Sequence, residues 1–207
     1  MAALNFNMQG YVYQEGVRVL MSAYAAAADA LHEEWMRAQE EAQAYLEDVA
    51  SGEREWIGER DEDGYVIWDQ EQVHEMEIES KREAQSALRK AFILSLYHHW
   101  ERSARTWTGD DRRDHNKLAS SVEALGYPIS PRLGAVRDLA NLLKHDNDKR
   151  GAEVMVTWPA VLATGVPKLG RRTDWYEAVR LTDDHVAEAF NIVAASGPDE
   201  KLLPRGG

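Results

Sequence analysis

Two unusually long stretches of helical periodicity set the terms for this chain. From Tyr11 to about Ala50 the apolar positions Val17, Leu20, Met21, Tyr24, Ala27, Leu31, Trp35, Ala42, Tyr45, Leu46 and Val49 recur every three or four residues. That interval places them on one face of an α-helix. No proline interrupts the stretch, alanine is abundant and Ser51-Gly52 supply a stop, so the helix reaches roughly 50 Å. A second stretch begins near Gln72 and runs to about Thr106 through Ala84, Ala87, Leu88, Ala91, Phe92, Leu96 and Trp100. Long helices of similar length pack antiparallel. The fold class read from this pattern is all-α: an antiparallel helical bundle built on two long helices.

The connection between them, Trp56 to Trp68, has short β-favouring runs on either side of Asp63-Gly64. It reads as a small β-hairpin or loop insertion over 51–70. Glu59, Asp61, Asp63, Gly64 and Val66 also fall at calcium-loop spacing, but the twelfth position is Gln70, which cannot supply the bidentate carboxylate. Further on, a short helix is expected from Asp114 to Leu125, and another from Ser130-Pro131 to about Asp146. Residues 151–170 read as irregular with a short strand at Val154–Thr157. A C-terminal strand at Trp175–Leu181 precedes a helix capped by Thr182-Asp183. One domain over 1–196, followed by a loose tail over 197–207, is the expected organisation.

Composition narrows the function classes. At 207 residues, 44% apolar and 29% charged, the chain is expected to be soluble and globular, with no disulfide because it has no cysteine. No secretion signal or membrane span is read at the start, so a cytoplasmic setting is expected. The formal net charge is −12. Residues 1–99 contain 20 acidic and 8 basic side chains, whereas 100–150 contain 8 and 10. An acidic chain makes a poor general nucleic-acid binder, and any anion site is expected between 100 and 150.

Two clusters in that region carry potential chemistry. In the helix near 131–146, Arg137, Asn141 and His145 stand at i, i+4 and i+8 and read as one polar ridge, with Lys144 beside it. An arginine forks onto a phosphate, an asparagine orients a neighbour, and a histidine takes and returns a proton near neutral pH. At the end of the second long helix, Tyr97, Glu101 and Arg105 share a face, and His98 shares a neighbouring face with Arg102. Adjacent His98 and His99 cannot both face one metal from a regular helix, so no metal is expected, and with no glycine-rich phosphate loop or dinucleotide fingerprint no cofactor is expected either. Each cluster also has a purely structural reading: intrahelical ion pairs, and a histidine favoured by the dipole at a helix C-terminus.

The layout of two long helices, the segment "YHHWERSAR" and the later "VRDLANLLKHDND" resembles the HEPN superfamily, over roughly Tyr11 to Asn147. The resemblance implies a helical domain that pairs as a homodimer and a metal-independent endoribonuclease motif, R-x4-6-H or R-N-x3-H, of toxin and defence systems. By resemblance, His145 matches the motif histidine, Asn141 the polar residue after the arginine, and Glu101 an acidic residue of the preceding helix. Arg137 and Arg105 are further catalytic candidates, and Lys144, Arg102 and His98 candidate substrate contacts. The motif arginine would stand at 140, where this chain has Ala140, and Arg137 lies one helical turn upstream. The reading is therefore a HEPN-like protein of a defence or toxin-antitoxin system, acting through protein contacts with weak or absent RNase activity. An active RNase and an unrelated helical accessory protein are the alternatives. Seven tryptophans, more than one core of this size needs, also point to an interface between two copies.

Overall fold

The structure is a computed structural model that describes residues 6–110, 114–166 and 173–201. Among these residues the order is α1 (Met8–Ser51), β1 (Gly58–Arg60), β2 (Val66–Asp69), α2 (Gln70–Thr108), α3 (His115–Ala124), α4 (Leu133–His145), α5 (Asp148–Thr157), a 3-10 turn at Pro159–Val161, α6 (Trp175–Ala178) and α7 (Asp183–Ala194). The all-α bundle on two long helices, with one small hairpin, is the observed architecture. By internal packing the chain divides into two compact units, Ala25–Leu88 on one hand and Met1–Tyr24 with Arg89–Gly207 on the other.

The first of these units holds the later part of α1, the hairpin and the start of α2. Its helical segments run antiparallel: Gln85 donates to the Leu31 carbonyl at 3.3 Å, Lys81 pairs with Glu34 at 2.8 Å, and Tyr45 lies against His74. The hairpin pairs Gly58 with Asp69 and Glu59 with Trp68. Asp61, weighed as a calcium ligand, instead accepts from the backbone amides of Asp63 and Tyr65 and so closes the turn. No cluster of metal-ligating side chains occurs among the described residues.

In the larger unit the same antiparallel arrangement sets Tyr13 against His99 and Tyr24 against Phe92. Gly16 makes this approach feasible, since a Cβ there would stand 2.3 Å from the His99 ring. Trp100 is fully buried and donates from its indole to the Ser196 carbonyl at 2.7 Å. Also buried are Ile93 and Leu96 of α2, Leu118 and Val122 of α3, and Val186 and Val193 of α7. Helix α4 is the most enclosed element, burying Leu133, Val136, Leu139 and Leu142 along one face. Thr182 caps α7 through its hydroxyl and the His185 ring, as its position before Asp183-Asp184 implies.

Three local expectations need correction. Val154–Thr157 is the end of helix α5, not a strand, because Asn147 caps the helix by accepting from the Arg150 amide. Trp175–Leu181 begins with the helical turn α6, and only Val179 bridges to Leu162. Residues 197–201 of the tail are not loose: the Asn7 amide donates to the Glu200 carbonyl and Gln14 donates to the carbonyl of Pro198. Residues 202–207 of that tail, and 167–172, lie outside the described residues. No described helix is long and apolar enough to cross a membrane.

Candidate functional site

A cleft of about 300 Å³ opens where α2, α3 and α4 meet. Tyr97, His98 and Glu101 line it from α2, His115 from α3, and Arg137, Asn141 and Lys144 from α4. The periodicity of α4 explains the last three. With Val136, Leu139, Leu142 and Leu143 turned into the core, the remaining stripe carries Arg137, Asn141 and Lys144 at i, i+4 and i+7. At about 100° per residue, Lys144 returns to within about 20° of Arg137, whereas His145 stands about 80° away. Lys144 therefore completes the ridge in place of His145.

His145 is exposed at the last residue of α4 and is not among the residues lining the cleft. The residues after it explain the stop. Asp146 adopts a left-handed conformation at φ 39°, and its carboxylate accepts from the amides of Trp175 and Tyr176 at 2.9 and 3.1 Å. Asn147 then caps α5. The "KHDND" segment thus ends one helix, reverses the chain and starts the next.

Arg137 is held from two sides. Its Nε and Nη2 donate to the Asp138 carboxylate at 2.8 and 2.6 Å, and its Nη1 donates to the Asn116 side chain at 3.2 Å. Asp138 is only 2% exposed, so this guanidinium neutralises a buried carboxylate. Two donors shared with Asp138 leave less of the fork for a phosphate. Glu101 pairs with Arg105 at 2.8 Å, one helical turn along α2, and both are half-buried. Arg105 reaches the cleft only through this pair. Arg102 lies instead in a neighbouring apolar groove of about 710 Å³, lined by Met8, Val12, Gly16 and Leu20 of α1, with His98 common to both.

His115, absent from the candidates read in the sequence, is a strongly perturbed group in the cleft. It follows Asp114, whose carboxylate caps α3 by accepting from the Asn116 and Lys117 amides. That cap sets the His115 ring 5.1 Å from the Trp100 ring and places Nδ1 2.9 Å from the Tyr97 hydroxyl. Burial first, and then the Arg137 charge, push the imidazole down from 6.5 to about 4, so it is neutral at pH 7. Burial likewise raises the Tyr97 phenol well above its usual range. The pair therefore stays uncharged near neutrality and can exchange hydrogen bonds with a bound group, but it supplies no acid of matched strength. A histidine following an Asp N-cap at a predicted helix start is the one local signal that marked this position.

Of the eight residues selected from the sequence, the cleft gathers Arg137, Asn141, Glu101, Lys144 and His98. It leaves out His145, Arg105 and Arg102. The arrangement offers one exposed cation, one engaged cation, the Glu101 carboxylate, an amide, His98 and a neutral histidine-tyrosine pair around a small polar volume. No family model, curated protein or solved structure matches this chain.

Proposed function

We propose that this is a HEPN-like helical protein that acts through protein contacts in a defence or toxin-antitoxin setting, with RNA cleavage weak or absent. The observation that carries the reading is the separation of His145 from the cleft that gathers Arg137, Asn141 and Glu101. A general base must come within hydrogen-bond reach of the proton it removes, and His145 does not share a volume with the groups that would hold the phosphate. Ala140, which is buried at the wall of the cleft, stands where the resembling motif would have its arginine. The engagement of Arg137 by Asp138 and Asn116 gives that arginine a structural task.

In the same reading the chain pairs with a second copy. Met8, Val12 and Val19 are 63%, 61% and 57% exposed on α1, more apolar surface than a solitary helix face usually leaves open. Incubation of RNA with the chelator-treated protein and with His145→Ala tests the proposal, and cleavage by neither is expected. A metal-independent endoribonuclease is the second reading, favoured by Lys144, His98 and Asn141 facing one cleft. It requires that wild type cleave and that His145→Ala lose the activity.

A further inference from the structure

The two units differ sharply in charge. Residues 25–88 hold 19 acidic and 5 basic side chains, a formal −14, and the rest of the chain holds 17 and 19, a formal +2. The whole net charge of the protein thus resides in the smaller unit. Three of its five cations are tied to neighbouring carboxylates: Arg54 to Asp48, Lys81 to Glu34 and Arg82 to Glu79.

On this acidic unit the hairpin presents an uncovered apolar surface. Tyr65 is 72% exposed, Ile67 56%, Ile57 47%, Trp68 41%, Trp56 39% and Val66 38%. Both faces of the two-stranded sheet are open, whereas strands normally bury at least one. Its base is anchored. The Ile57 amide donates to the Tyr45 hydroxyl at 3.1 Å, and the Gln70 amide donates to the Ile57 carbonyl at 2.9 Å. Of the seven tryptophans, Trp100, Trp158 and Trp175 are buried, while Trp56 and Trp68, both on this element, are exposed. Arg60 already stacks over Trp56, 4.7 Å from its ring centre, which shows that the geometry accepts a guanidinium.

We infer that the hairpin is a docking surface for a basic protein partner, one that offers an apolar side chain or two among lysines and arginines. Aromatic anchors within a field of one sign supply the burial energy and the steering of a specific interface. Charge selects the occupant: a second copy would bring one −14 unit against another, whereas a cationic surface is drawn in and its arginines stack on Tyr65 and Trp68. The inference concerns the smaller unit and stands whether or not the cleft of the larger one cleaves RNA.

The probe is a fluorescein-labelled amphipathic helical peptide of lysine, arginine and leucine, compared with a charge-matched peptide having serine for leucine. Anisotropy is read with wild type, with the Tyr65→Ser/Trp68→Ser double variant, and with Val156→Ser as an exposed control in the other unit. Wild type and Val156→Ser are expected to bind the leucine peptide at least about tenfold more tightly than the serine peptide, and the double variant to lose that preference. Raising salt from about 50 to about 300 mM should weaken binding severalfold. Circular dichroism checks the fold, and Tyr65→Ser alone serves if the double variant is disordered. Equal affinity for the two peptides, or a preference retained by the variant, overturns the inference. So does sedimentation in which the substitutions turn a dimer into monomers, because the surface then belongs to a second copy.

Discussion

Acidification should weaken this fold partly through a single imidazole. His115 packs on Trp100 and Tyr97 with Arg137 close by, and its pKa falls from 6.5 to about 4. Between those values the unfolded chain takes up a proton that the folded chain refuses, so stability declines as pH falls through that window. Above 6.5 both states are neutral and the contribution is complete. The full shift corresponds to about 3 kcal/mol at about 1.4 kcal/mol per pKa unit, and partial solvent access reduces this to about 1–2 kcal/mol. His115→Gln leaves a neutral hydrogen-bonding side chain beside Tyr97 and removes the titration. Urea unfolding of both proteins at pH 7.5 and pH 4 gives the loss of stability on acidification. Wild type should lose about 1–2 kcal/mol more than the variant. Carboxylates and His99, whose pKa burial also lowers, are common to both proteins and cancel in the difference. Identical losses would refute the burial of His115 in the cleft wall.

Gly151→Ala should destabilise the larger unit by about 1–3 kcal/mol, read as a lower thermal midpoint, because the added Cβ would stand 2.2 Å from the buried Trp175 indole. Arg137→Ala should cost about 3 kcal/mol in urea by stranding the Asp138 carboxylate, and Arg137→Ala/Asp138→Asn should recover part of that loss. Light scattering at micromolar concentration should report a dimer, and a monomer would remove the pairing from the proposal.

Legibility in the sequence followed the range of the interactions involved. The long helices were readable because their apolar repeat spans ten turns or so and no proline breaks the first, and α7 because Thr182 announces its cap. Helix α5 was hidden because Val154-Met155-Val156 resembles a strand, yet Val154 is buried and Val156 is 83% exposed. What fixes that helix is the Asn147 cap and the close seat of Gly151 on Trp175. The turn at α6 has a local cap in Asp174, which accepts from the Glu177 amide, but its second anchor is Asp146, some thirty residues upstream, and no local pattern encodes that bond. In the site, the α4 ridge was visible, but which of Lys144 and His145, about 100° apart on the helix, closes it depends on the rotation set by core packing. His115 enters the cleft through the placement of α3, which is a tertiary matter.

The central claim, that His145 stands apart from the cleft and RNA cleavage is weak or absent, is tested most directly by single-turnover cleavage of end-labelled RNA in chelator by wild type, His145→Ala and Arg137→Lys. Background rates for all three, with no difference on substitution of His145, are expected. Metal-free cleavage by wild type that falls at least about a hundredfold in His145→Ala, the low end for removing a general acid or base, would contradict the account.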